Sequence, residues 1–187
     1  MTRIEESKVP DYIPMPATDV CLKVKRAFDK NDLAGAAKLV AESYEIKPAQ
    51  VLIDDNRLNQ YDTNQRQKQA SMQTVGLHCP MTNYESGIFL RSNPTLRTFA
   101  HEFCHSLLYQ SKVAFSEETV CNSFADNFVQ QALFAERMEQ YDLQSKRLWQ
   151  EGNINAAIVV LMQQALLPLQ IQLQSLESQL AILRSLQ

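Results

Sequence analysis

Two of the chain's three histidines, His101 and His105, stand four residues apart with Glu102 between them in the run HEFCH. On an α-helix, positions i and i+4 lie one turn apart on one face, so both imidazoles can address a single ion. Glu102 is rotated around the helix from His101, toward the open side of that ion rather than into its ligand set. A metal-activated water with a carboxylate beside it is the chemistry this pattern serves.

A catalytic zinc site has three protein ligands and one open position, so two histidines are not enough. Glu118 is followed four residues later by Asn122, again one turn on. Glu118 could ligate while Asn122 fixes an imidazole through its outer ring nitrogen. Three other residues compete for the third place: His78 on a strand-like segment, Glu117 beside Glu118, and Asp126, one turn beyond Asn122. Acidic residues in a first helical turn also favour the macrodipole, which gives Glu117 and Glu118 a role in stability alone.

These residues need helices that meet. Thr95 to Ser111 (TLRTFAHEFCHSLLYQS) reads as a helix with Asn93 as cap and Pro94 at its first position. Ser116 caps the next, EETVCNSFADNFVQQALFAERMEQY, and the short loop between them predicts an antiparallel pair. Upstream, Thr18 and Asp19 cap a helix to about Asp29. Asn31 and Asp32 start a second, with Leu33, Ala36, Ala37, Val40 and Ala41 on one stripe. The segment 49–55 reads as a buried strand, 74–79 and 86–91 as two more, and 56–72 as a polar connection of no assigned structure. From Trp149 onward, Met162, Leu166, Leu169, Leu173, Leu176, Leu180 and Leu183 recur at spacings of four and three. That heptad suits a coiled coil or docking on another helix, with Pro168 expected to kink or divide it.

The chain has 187 residues, 45% of them hydrophobic, which allows one domain or one domain with a helical appendage and excludes wholesale disorder. Four glycines disfavour a turn-dense all-β fold. A net charge of −3 argues against broad capture of nucleic acid or of an anionic membrane. The N-terminus lacks the apolar core of a signal peptide, and Ile154–Leu169, interrupted by Gln163, Gln164 and Pro168, reads as too short and too polar to span a bilayer. Cysteines at 21, 79, 104 and 121, without CxxC spacing, read as reduced thiols of a cytoplasmic protein.

TLRTFAHEFCHSLLY followed by ETVCNSFADNF resembles the ImmA/IrrE family of zinc metallopeptidases, of the gluzincin type, and the preceding strand GIFLR fits the same pattern. The resemblance covers roughly residues 74–135. It implies Zn2+ held by His101, His105 and Glu118, with Glu102 as catalytic carboxylate and Asn122 behind the ligands. Cys104 stands where the family often has glycine, and the family's proline after the second helix is absent. The implied fold is α+β and mostly helical: an irregular arm (1–17), a zincin-like core with a small mixed sheet (18–137), and a helical extension (138–187) outside the resemblance.

Peptide-bond hydrolysis is the implied activity, with Glu102 taking a proton from water and passing it to the leaving amine. SGIFLR would offer an edge for an extended substrate. His78, Tyr61, Tyr84 and Tyr109 are all available as oxyanion donors. The expected partner is an intracellular protein substrate, for which the family suggests a helix-turn-helix repressor, with no direct nucleic-acid or membrane binding. Self-association through the C-terminal helices is a further expectation. The other class of reading is a catalytically quiet zinc-binding scaffold or an oligomerising interaction protein, which would have no need of Glu102.

Overall fold

Small apolar residues at helical spacing build the first layer. The structure, a computed structural model, describes residues 13–66, 74–81, 85–112 and 118–185. Helix α1 (Thr18–Asp29) and helix α2 (Leu33–Glu42) pack together, and Leu33, Ala36, Ala37, Val40 and Ala41 are all buried, as their stripe predicts. Asp32 caps α2 by accepting from the Gly35 N–H at 2.9 Å. Thr18 and Asp19 do not cap α1. The helix begins on Ala17 without a side-chain cap, and Asp19 pairs with Lys23 at 3.0 Å instead.

The strands β1 (Gln50–Ile53), β2 (Gly76–Pro80) and β3 (Ser86–Leu90) form one mixed sheet in the order β1-β3-β2. Strand β3 is parallel to β1 and antiparallel to β2, so both its edges are occupied and all five of its residues are buried. It is therefore not the free edge expected for a substrate. Strand β1 is not the buried strand expected either: it lies at a sheet margin, with Leu52 and Ile53 exposed.

Between β1 and β2 the polar stretch forms helix α3 (Asp55–Arg66), which the sequence pattern leaves unassigned. Leu58 is its one fully buried apolar side chain, so a helical stripe is scarcely visible. Arg91 ties it to the sheet: Nε donates to the Thr74 carbonyl at 2.7 Å, Nη1 to Asn59 Oδ1 at 2.7 Å and Nη2 to Asp62 Oδ2 at 2.6 Å.

Helix α4 (Leu96–Gln110) packs on β2 and β3 and buries Phe99, Ala100, Phe103, Cys104, Leu107 and Leu108. Its cap is Thr95, whose Oγ1 accepts from the Thr98 N–H at 3.0 Å. Asn93 instead takes a left-handed turn with φ of 58°, so the cap falls two residues later than expected. Helix α5 (Glu118–Gln150) follows; residues 113–117, including Ser116 and Glu117, lie outside those described.

Contacts divide the chain between Ala135 and Glu136. The second unit is a helical hairpin made of the last turns of α5 and helix α6 (Ile154–Ser185). Gly152, with φ of 75°, makes the turn, and Asn153 Oδ1 accepts from the Ala156 N–H at 3.3 Å. Helix α6 runs through Pro168 without division. Pro168 itself is exposed, and it leaves the Gln164 carbonyl without an amide partner in the helix. Over Ile154–Leu173 the mean hydropathy reaches 1.6, so by length and composition alone this helix could cross a membrane. The shorter stretch ending at Leu169 understates that.

Candidate metal centre

The Thr95 cap sets the start of α4 and so brings the HEFCH run to the helix's second turn, against β2. His101 and His105 meet ring edge to ring face, with centroids 4.8 Å apart at 75°, and their Nε2 atoms lie 3.1 Å apart. Glu118, at the first position of α5, closes the group. Its Oε2 is 3.2 Å from His101 Nε2 and its Oε1 is 3.5 Å from His105 Nε2. The two gaps to Glu118 belong to different carboxylate oxygens; taken one atom from each residue, the three donors lie within 4.8 Å of one another, close enough to share one ion. Among the described residues this trio is the group of His, Cys, Asp or Glu side chains able to hold a metal.

Burial first, and then the neighbouring His105, hold the His101 imidazole below its ordinary pKa, with Glu118 opposing them. A neutral ring keeps a lone pair for a metal, so this direction suits a ligand. With Nε2 of His105 facing the other donors, its proton belongs on Nδ1, which points at the Cys121 Sγ 3.4 Å away. Cys121 is fully buried and hydrogen-bonded with Cys104, and that bond together with burial pushes its thiol well above the usual range. It is thus a neutral partner for the ring. The outer nitrogen of His101 is buried and has no hydrogen-bond partner among the described residues.

Asn122 does not take the role expected of it. Its Oδ1 accepts from Arg97 Nη2 at 3.1 Å, while the group beside the outer nitrogen of His105 is Cys121, one position earlier. The physical reason is the helix rotation: Cys121 faces the interior of the α4–α5 contact and Asn122 its rim. Asp126 is likewise removed from the contest for third ligand, because Arg97 Nε donates to its Oδ1 at 2.6 Å. Arg97 reaches Asp126 and His101 reaches Glu118, but His105 reaches both Glu118 and Cys121, so these contacts converge on the start of α5 and do not by themselves establish the antiparallel pairing expected of the two helices. His78 is not in the trio. Its Nε2 lies 3.1 Å from Ser86 Oγ, and burial followed by His105 lowers it to about 4.

Glu102 is buried beneath β2. The His78 N–H donates to its carboxylate, and Gly76 lies so close that a Cβ there would sit 2.7 Å from Glu102 Oε1. Burial pushes this carboxyl up to about 8, Glu118 adds to the rise, and the His78 amide pulls the other way. A cavity of about 730 Å³ opens beside it, lined by β2 residues Gly76–His78, the metal trio, Glu102, Arg97 and Tyr61. Tyr61 and His78 thus reach the cleft, whereas the Tyr109 hydroxyl donates to the Met81 carbonyl at 2.8 Å; Tyr84 lies outside the described residues.

Strand β2, not β3, borders this cleft. Val75 accepts from the Arg91 N–H and Met81 donates to the Glu85 carbonyl, so odd-numbered residues bond toward β3. Gly76, His78 and Pro80 have the opposite parity, and their backbone groups face away from β3. The Pro80 position, lacking an N–H, is a residue that edges tolerate and central strands do not. Sequence reasoning missed Gly76 and Arg97, and it gave Cys121 a place near the site if the two helices pair but no role toward His105; only the chain's return of β2 and α5 onto α4 marks these roles. No family model, curated protein or solved structure matches this chain.

Proposed function

We propose that the chain is a zinc-dependent endopeptidase with a zincin-like core, as its resemblance to the ImmA/IrrE family implies. The observation that carries this reading is the convergence of His101, His105 and Glu118 at gaps of 3.1–3.5 Å beside a buried carboxyl that is not among them. A bound divalent ion would polarise a scissile carbonyl and lower the pKa of water. Glu102, oriented by the His78 amide, would in its ionised form take the proton from water and return it to the leaving amine. An extended peptide adds to the outward edge of β2, bonding to Gly76 and to the His78 carbonyl, which sets its register beside Glu102. Tyr61 is the hydroxyl lining the cleft from the side of α3 and is the candidate donor to the oxyanion. The substrate class is an extended segment of an intracellular protein, a helix-turn-helix repressor being the one the resemblance suggests.

The specific placement of Glu102 favours hydrolysis over a quiet scaffold, since a structural metal site has no use for a buried carboxyl outside its ligands. The test compares wild type with Glu102→Gln. Both should bind one equivalent of zinc by elemental analysis, while Glu102→Gln should trap, without cleaving, a protein that wild type cuts. Cleavage at equal rates by both proteins, or an absence of bound metal in both, would overturn the assignment.

A further inference from the structure

Helix α6 carries two apolar seams, and the hairpin uses one of them. Ala157, Val160 and Leu167 are buried, with Gln164 and Ile171 half-buried between and beyond them, and Gln164 Nε2 donates to the Met138 carbonyl of α5 at 3.5 Å. These positions are spaced by three and four and face α5. On the opposite side, Val159, Met162, Leu166, Leu169 and Leu173 are 54%, 60%, 48%, 61% and 58% exposed. They repeat at spacings of three and four, and the sequence continues the spacing at Leu176, Leu180 and Leu183.

We infer that this outer seam joins α6 to α6 of a second copy of the chain as a coiled coil. With Val159, Leu166 and Leu173 at a, and Met162 and Leu169 at d, the buried positions of the hairpin fall at b and f. One helix can therefore serve both contacts without repacking. The flanks select the partner. Positions e and g, which set partner choice by charge, are Ile158, Gln163, Ala165, Gln170 and Gln172 as far as Leu173, a stretch without charge, and Glu177, Gln179 and Arg184 beyond it. In a parallel pair of identical helices the e positions Glu177 and Arg184 are matched by the g positions Gln172 and Gln179, so the register sets no like charges against each other and an identical helix meets no repulsion. A lipid surface is less well matched: Gln163, Gln170 and Gln172 are exposed along the same helix, and amides left without partners in hydrocarbon are costly. The inference is independent of the peptidase reading and does not depend on the metal site.

The test is sedimentation of the full chain alone and with phosphatidylcholine–phosphatidylglycerol vesicles. Wild type should show at least twice the monomer mass. The double variant Leu166→Gln, Leu173→Gln should fall to the monomer with unchanged helix content, because both positions lie off the seam that faces α5. Leu143→Gln, at an exposed position on α5, should keep the wild-type mass. A monomeric wild type, a double variant of undiminished mass, or a wild type that sediments only with vesicles would each overturn the inference.

Discussion

Gly76 offers a test of the site that needs no substrate. A Cβ at this position would lie 2.7 Å from Glu102 Oε1, 2.8 Å from its Cγ and 2.9 Å from Thr98 Cγ2. Such contacts fall short of the roughly 3.5–4.0 Å optimum by about 0.7 Å, and a strand with β3 on one side cannot step back freely. Gly76→Ala should therefore overpack the site and destabilise the metal-free protein by about 1–3 kcal/mol. Removing the obstruction should remove most of the cost. In a Glu102→Ala background two of the three close contacts vanish, and the Thr98 methyl can turn away. The same Gly76→Ala change should then cost at least about 1 kcal/mol less, a coupling typical of residues in contact. Urea unfolding of the four proteins, followed by circular dichroism at constant m-value, measures the cycle. Additivity within about 0.5 kcal/mol would refute the claim that Gly76 makes room for this carboxyl. On the proposed peptidase reading, the same substitution should lower cleavage by roughly 100-fold at unchanged metal content, since it would move Glu102 by about an ångström.

Cys121→Ala takes away the partner of the outer nitrogen of His105 and should weaken zinc binding by roughly 10-fold in chelator competition; an unchanged affinity would leave Cys121 a packing residue only. Asp62→Ala leaves Arg91 half-partnered and frees the Thr74 N–H, which should cost about 3 kcal/mol in urea unfolding; a loss below about 0.5 kcal/mol would mean that α3 is held otherwise. Burial pushes the Cys21 thiol up from 9.0 to about 11, so its thiolate is scarce at neutral pH and its alkylation in the folded protein should accelerate only as pH rises toward 11. By linkage, the unfolded chain ionises this thiol first, so its contribution to stability is intact below about pH 9 and declines between pH 9 and 11. Mass mapping of alkylated peptides should find Cys79, the half-exposed thiol, modified before Cys21, Cys104 and Cys121.

What the sequence determined by itself is what one helix decides alone. His101 and His105 share a face, and Glu102 leaves it, because 3.6 residues per turn fixes those angles whatever lies around them. The stripe of α2 and the presence of apolar seams on α6 are legible for the same reason. Glu118 could be nominated from its residue type, its spacing to Asn122 and resemblance, but its 3.2 Å approach to His101 depends on α5 folding back along α4. Helix α3 was hidden because Arg91 and Asp62 anchor it where an apolar stripe usually would. The central place of β3, the edge at β2, the choice of Cys121 over Asn122 and the covered seam of α6 are likewise settlements between distant segments. Residue periodicity tells a face to leave water; only the packed chain decides which surface receives it.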